Sequence, residues 1–181
     1  MGQTTTGRLT EERVRRRLED LGLCLQKPKR DSGVDIHAWL PGNPSKFVCI
    51  EVKGRNPDKV TSYRWFQIRV SKRKLERARR NGVQANQTWK NEASKADFFV
   101  LVAARIDEMW VLSQKQVFDL ITCNESKYAN RPDNIFIYSD RIKAKQKEMN
   151  LDIEVDGTKL TERFHECLDN FEPIVASLRD Q

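Results

Sequence analysis

Residues 33–53 read GVDIHAWLPGNPSKFVCIEVK and predict two β-strands joined by a turn. The two arms, residues 34–39 and 47–53, are largely apolar, whereas residues 40–46 between them contain two Pro, one Gly, one Asn and one Ser. These are the residue types that favour tight turns and interrupt strands. The segment is therefore predicted to form a β-hairpin.

The two acids of this hairpin, Asp35 and Glu51, are predicted to face each other. They are 16 positions apart, so a turn centred on Asn43 places them on one rung, where opposed Cβ atoms lie about 4.5–5.5 Å apart. Lys53 projects from the same face as Glu51, because side chains alternate along a strand. The other face of this arm is wholly apolar: Val48, Ile50 and Val52. Two like charges at the rim of a core are costly unless a cation lies between them.

Two opposed carboxylates make a hard oxygen site suited to Mg²⁺, with Mn²⁺ as an expected substitute. A metal there would polarise a phosphoryl oxygen and lower the pKa of a bound water. Lys53 would position or activate that water, or neutralise the pentacovalent phosphate. The alternative is a surface hairpin with a chance Glu-x-Lys salt bridge. The apolar arm and the opposed aspartate favour metal-assisted hydrolysis of a phosphodiester.

Basic residues downstream of the hairpin indicate a nucleic-acid partner. The chain carries 33 Lys and Arg against 26 Asp and Glu, a net charge of +7, and basic groups release the counterions condensed on nucleic acid. Ser71 is placed to cap a basic helix that ends at Asn81-Gly82. The side chains expected to bind the DNA backbone are Arg69, Lys72, Arg73, Lys74, Arg77 and Arg80. Trp89, in a predicted loop over residues 83–95, is expected to be exposed and to stack on bases.

The remaining periodicities predict a mixed sheet flanked by helices. Thr10 is the expected N-cap of the first helix, and Pro173 is expected to kink the last one. Helices are predicted over residues 9–22, 72–80, 113–121 and 161–179, and strands over residues 23–30, 34–39, 47–53, 66–70, 98–104, 109–112 and 135–138.

Several of these segments resemble the PD-(D/E)xK nuclease superfamily, which has the restriction-endonuclease-like fold. The hairpin strings Gly33-Val-Asp-Ile36 and Phe47-Val-Cys-Ile-Glu-Val-Lys53 carry the resemblance, with Val34 in place of the proline of the family's name. Residues 7–22 resemble the first helix of archaeal Holliday-junction resolvases, and residues 96–113 resemble later strands of the fold. The resemblance implies an α/β fold with an αβββαβ core. We expect one domain over residues 1–181, with the core at about 7–121 and a C-terminal helical extension at about 122–181.

The resemblance also implies roles for individual residues. It makes Asp35 and Glu51 metal ligands and Lys53 the catalytic lysine. Glu11 corresponds to a glutamate borne on the first helix, although an acid near a helix start can equally serve the helix dipole. Gln67 corresponds to a glutamine that some members place near the site, and a solvent-facing glutamine is the alternative. His37, opposite Cys49 in the hairpin, is interpreted as a semi-buried histidine and not as a ligand.

Composition excludes several other classes of function. No apolar run approaches the roughly 18 residues of a membrane span, and the N-terminus lacks the apolar core of a secretory signal. We therefore expect a cytoplasmic protein. Four separated cysteines and two histidines make a structural zinc site improbable.

Three functions remain open after these exclusions. The first is a type II restriction-like or defence endonuclease, working as a homodimer because two strands need two sites. The second is a structure-specific nuclease of repair or recombination. The third is a non-catalytic DNA-binding relative, which the intact Asp35, Glu51 and Lys53 disfavour.

Overall fold

The computed structural model describes residues 5–28, 33–55, 65–70, 72–103, 108–124, 134–138 and 164–180. Its elements in chain order are α1 (Thr5–Asp20), β1 (Cys24–Gln26), β2 (Ile36–Trp39), β3 (Val48–Arg55), β4 (Trp65–Arg69), α2 (Lys72–Arg80), α3 (Ala85–Ala93), β5 (Phe98–Ala103), β6 (Glu108–Ser113), α4 (Gln114–Asn124), β7 (Asn134–Tyr138), a 3₁₀ helix (His165–Cys167) and α5 (Glu172–Arg179).

A five-stranded mixed sheet forms the centre of the fold, in the order β1-β2-β3-β5-β6. Strands β1, β2 and β3 are antiparallel neighbours, β3 and β5 are parallel, and β5 and β6 are antiparallel. Parallel strands require a long connection, and α2 and α3 lie within the one that joins β3 to β5. The predicted α/β class, with a mixed central sheet flanked by helices, is confirmed; the connection from β3 to β5 contains β4 and two helices, whereas the αβββαβ core has a single helix there.

The hairpin of β2 and β3 has the register expected from a turn centred on Asn43. Its paired residues are Ile36 with Ile50, His37 with Cys49 and Ala38 with Val48. In the turn, the Asn43 N–H donates to the Leu40 carbonyl at 3.1 Å, and Gly42 has a φ of +84°. A positive φ favours glycine because it lacks a Cβ. The turn residues thus set which side chains oppose each other.

Helices cover both faces of the sheet and divide the core in two. One cluster joins α1 and α5 to the face that includes Ile50 and Val52. The other joins α3 and α4 to the face that includes Phe99 and Leu101. Burial of each such side chain contributes about 1.5–3 kcal/mol. In the parallel register Glu51 lies beside Phe99 and Lys53 beside Leu101, so both project towards the face of α3 and α4.

Helix α1 packs closely on the end of β3. A Cβ built on Gly54 would overlap the Thr10 side chain, so a larger residue at position 54 would push the helix away. Thr10 is fully buried, and its hydroxyl donates to the Gly7 carbonyl at 3.0 Å. The prediction that Thr10 caps the helix is wrong, because α1 already begins at Thr5.

Three further expectations are corrected. The polar stretch over residues 83–95 contains helix α3 and is not a loop. The predicted helix over residues 161–179 is interrupted: Asp169 has a φ of +50°, and Pro173 lies in the first turn of α5, where its missing N–H costs little. Strand β7 pairs with β4 in a separate two-stranded sheet, so the extension after residue 121 is not purely helical.

Helices within the described ranges are too short or too polar to cross a lipid bilayer.

Candidate active site

Asp35 lies just before β2 and is held against β3 by two hydrogen bonds. Its backbone N–H donates to the Ile50 carbonyl at 2.9 Å, and its carboxylate Oδ2 accepts from the Val52 N–H at 2.8 Å. The carboxylate therefore takes the place of a backbone acceptor beyond the last paired residues of the hairpin. This anchoring holds Asp35 one residue beyond the Ile36–Ile50 pair, where continuation of the register leads to Glu51.

The pKa of Asp35 is raised above its usual value of 3.8, and burial is the largest cause because it disfavours the charged form. The hydrogen bond from Val52 and the positive charges of Lys53 and Lys27 act in the opposite direction, and the negative charge of Glu11 adds to the rise. A nearby cation would offset this cost of ionisation.

Glu51 and Lys53 form an ion pair on the same face of β3. The Lys53 Nζ contacts the Glu51 Oε1. Glu51 is 8% exposed, whereas the Lys53 side chain is 30% exposed. The pair thus spans from the buried end of the strand to its solvent edge, which is the arrangement predicted from their two-residue spacing.

Glu11 reaches the same region from helix α1. It is 7% exposed, and both of its carboxylate oxygens accept from the Lys27 Nζ, at 3.3 and 3.4 Å. Its negative charge acts on Asp35, so Glu11 lies within electrostatic range of the first hairpin acid. Lys27, which follows β1, was missed, because no spacing in the sequence pairs it with a residue of α1.

The donor set suits a hard divalent cation. Within the described ranges, no group of three or more His, Cys, Asp or Glu side chains lies close enough together to hold a metal ion. The two hairpin carboxylates, however, are the oxygen donors that Mg²⁺ prefers. Mg²⁺ commonly binds through one or two carboxylates and completes its shell with water and substrate phosphate. Asp35 and Glu51 are therefore the residues of this hairpin that could hold such a cation.

The structure describes the side chain of His37 but only the backbone of Gln67. His37 is half-buried, and its ring lies 4.7 Å from the ring of Phe47, tilted by 32°. This packing agrees with the interpretation of a satisfied, semi-buried histidine. Gln67 lies in β4 and pairs with Phe136 of β7, and its side chain lies outside what the structure describes.

Helix α2 presents an exposed basic surface. Arg73, Arg77 and Arg80 are exposed and recur at the three- and four-residue spacing of one helix face. Lys74 differs, because its Nζ donates to the Glu92 carboxylate at 2.8 Å and joins α2 to α3. The side chains of Arg69 and Lys72 lie outside what the structure describes.

The prediction for Trp89 is wrong. The residue is 4% exposed and packs in the cluster that contains Val70, Ala93 and Val117. A buried indole cannot stack on bases. Because the stretch around Trp89 is mostly polar, its few apolar residues did not suggest a packed helix face.

Neither a scan against protein-family models nor a search of curated protein sequences finds a match. Among solved structures, the chain is similar to the bacterial homing endonuclease I-Ssp6803I, with a TM-score of 0.41 and 16% sequence identity. The similarity covers 83% of this chain and 87% of that one.

Proposed function

We propose that the protein is a Mg²⁺-dependent DNA endonuclease of the PD-(D/E)xK type, which hydrolyses phosphodiester bonds. The observation that carries the proposal is the hairpin register. In this register a half-buried Asp35 and a buried Glu51 lie at the same end of the hairpin, and Lys53 follows two residues further along β3.

Asp35 and Glu51 would hold the metal. When bound, Mg²⁺ supplies Lewis-acid polarisation of the phosphoryl oxygen and a water of lowered pKa. The chain's part is to fix the two acids: the Val52 N–H holds Asp35, and the pairing of β3 with β2 and β5 holds Glu51. Positioning of this kind accounts for much of the rate enhancement in phosphoryl transfer.

Lys53 would orient the attacking water or neutralise charge that develops on the phosphate. Its ammonium lies at the half-exposed edge of the site, where it can reach a bound substrate. Glu11 adds a third acid on the α1 side, which supports the catalytic role proposed for it. Gln67 of β4 would lie near the site, as in some members of the superfamily.

DNA would be bound through its phosphate backbone by the exposed arginines of α2, with Arg69 and Lys72 nearby in the chain. Basic side chains that contact phosphates position a protein on DNA without reading its sequence. Because Lys74 is already engaged by Glu92, we assign it to the joint between α2 and α3 and not to the DNA surface.

We favour a restriction-like or defence nuclease that works in the cytoplasm as a homodimer, since cutting both strands takes two sites. Helix α5, beyond the predicted core, packs on the α1 side of the sheet through Ile174 and Leu178. The C-terminal segment therefore supports the face that carries Glu11. The second candidate is a structure-specific repair or recombination nuclease, which the buried Glu11 on a resolvase-like first helix favours.

One incubation series tests the function and separates the two candidates. Supercoiled plasmid, linear phage DNA and a synthetic four-way junction are each incubated with Mg²⁺, with Mn²⁺ or with EDTA. Discrete fragments would indicate a restriction-like enzyme, and preferential junction cleavage would indicate the second candidate. The proposal is overturned if no substrate is cut with either metal, or if EDTA leaves cleavage unchanged.

A further inference from the structure

Lys27 is held at the edge of the candidate site by an acid that is almost fully removed from solvent. Its Nζ lies 3.3 and 3.4 Å from the two carboxylate oxygens of Glu11. The Glu11 side chain is 9% exposed, whereas that of Lys27 is 59% exposed. The buried acid thus anchors the ammonium, while most of the lysine faces solvent.

The acids around the candidate site would repel a DNA phosphate unless nearby lysines offset their charge. Glu11, Asp35 and Glu51 place three acids near one end of the sheet, and a DNA phosphate that approaches them meets like charge. Lys53 offsets the charge of Glu51, with which it forms an ion pair. Lys27 acts in the same field, because its charge lowers the pKa of Asp35 whereas the charge of Glu11 raises it.

An anchored ammonium can serve a phosphate without leaving its acid. A lysine carries three N–H donors, and two oxygens of Glu11 accept from this one. Lysine is a compact point charge that binds phosphate oxygens. Fixing its position in advance also lowers the conformational entropy lost when the phosphate is bound.

We propose that Lys27 is a positioning residue that contacts a non-bridging oxygen of the nucleic-acid backbone at the entrance to the active site, with Glu11 holding it in place. This proposal rests on the proposed function, because it requires DNA as the substrate. The competing explanation is that Lys27 only neutralises the buried Glu11.

The test measures binding of a fluorescent DNA duplex in EDTA, so that no cleavage occurs, over a series of salt concentrations. The variants are Lys27→Gln, Lys27→Arg, Glu11→Gln and the double variant Glu11→Gln/Lys27→Gln. Lys115→Gln is the matched control, since Lys115 is an exposed lysine on α4. Thermal unfolding of each variant shows that the folded proteins are compared.

Lys27→Gln is expected to weaken binding about tenfold, as loss of one charged hydrogen bond does. It should also reduce the slope of log K against log salt by about 0.9, the value for one phosphate contact on B-DNA. Lys27→Arg should restore both quantities, and Lys115→Gln should leave them near wild type. The double variant should bind as weakly as Lys27→Gln.

Two results overturn the proposal while leaving the nuclease function intact. If the double variant binds DNA like wild type, Lys27 only neutralises Glu11. If the salt slope of Lys27→Gln equals that of Lys115→Gln while the wild type still cleaves with Mg²⁺, Lys27 contacts no phosphate. A wild-type protein that binds no duplex at low salt and cleaves none would overturn this proposal together with the proposed function.

Discussion

Acids lie close to lysines in two regions of the molecule, but the pKa of the acid shifts in opposite directions. It is raised for Asp35 in the hairpin and lowered for Glu92 on α3. At the end of β3, burial raises the pKa of Asp35 despite the nearby Lys53 and Lys27. On the surface of α2 and α3, partial burial acts to raise the pKa of Glu92, but Lys74 and Lys95 lower it. Their ammonium groups lie 2.8 and 2.9 Å from its carboxylate.

The difference indicates that the ion pairs of Glu92 stabilise the fold, whereas the buried charge of Asp35 reduces its stability. The Glu92 cluster joins two helices, and such pairs contribute about 0.2–1 kcal/mol. Burial disfavours the charged form of Asp35, and the negative charge of Glu11 adds to this effect. Functional sites commonly keep groups that reduce stability. This contrast supports the proposed catalytic role of the hairpin acids and indicates a structural role for Glu92.

The largest expected difference between the two regions is in catalysis. Replacing Lys53 by Met should lower the rate of Mg²⁺-dependent DNA cleavage by about 10²–10⁴-fold, the range for loss of a positioned catalytic group. Lys95→Met is the matched control, because it removes a lysine that also pairs with an acid. Single-turnover cleavage measures both variants. Equal rates for the two would remove the distinction between the regions.

Trp89→Ala tests whether α3 has a structural role, as its burial indicates. The side chain is buried, so its loss should reduce the free energy of unfolding by about 3–5 kcal/mol. Duplex affinity of the folded protein should stay near wild type. Chemical denaturation measures the first quantity and fluorescence anisotropy the second. A variant of unchanged stability that binds DNA weakly would restore the base-stacking role that the structure excludes.

The exposed arginines of α2 should affect binding without affecting chemistry. Replacing Arg73, Arg77 and Arg80 together by Ala should weaken duplex binding by about 10–100-fold and reduce the salt slope by up to about three. The cleavage rate at saturating DNA should change little, because these residues lie on a helix surface. Lys74→Ala, the control from the same helix, should change the slope less, and an equal change would show that Lys74 also contacts phosphate.

The smallest expected effects are opposite shifts in stability. Asp35→Asn should raise the free energy of unfolding at pH 7 by on the order of 1 kcal/mol, because it removes a desolvated charge. Asn keeps an oxygen that can accept from the Val52 N–H. Glu92→Gln should lower the free energy of unfolding by about 0.2–1 kcal/mol. The denaturation midpoint of each variant is compared with that of the wild type. Shifts of the same sign would contradict the opposite effects expected for Asp35 and Glu92.

The pH dependence of stability carries the same signs. The pKa of Asp35 is raised in the folded protein, so its contribution is present below the unfolded value near 3.8 and is lost as the pH rises through the folded pKa. The pKa of Glu92 is lowered, so its contribution is present above 4.5 and is lost as the pH falls through the folded pKa. Difference curves of each variant against wild type, taken between pH 3 and 7, should therefore slope in opposite directions.

The hairpin could be predicted from sequence because its information is local. Turn residues around Asn43 set the register, and the register determines that Asp35 opposes Glu51 and that Lys53 shares its face. The basic helix α2 was predicted for the same reason: it ends at Arg80, and Gly82 just beyond it has a positive φ of +72°.

Features that depend on distant contacts could not be predicted in this way. Helix α3 has too few apolar residues to show its period, and the core around Trp89 is completed by α4 and the C-terminal segment. The apolar stripe over residues 164–178 continues across a change of direction at Asp169, so it resembled one helix. The Glu11–Lys27 pair depends on how α1 crosses the sheet, which residue spacing does not encode.

Metal binding tests most directly whether Asp35 and Glu51 form one site. Calorimetric titration of Mn²⁺ into the protein, alone and with a cleavage-resistant phosphorothioate duplex, should show binding by the wild type and by Glu92→Gln. Asp35→Asn and Glu51→Gln should each bind at least about tenfold more weakly, because each removes one of two protein ligands. Equal affinity in all four proteins, or no binding by the wild type in either form, would contradict the assignment.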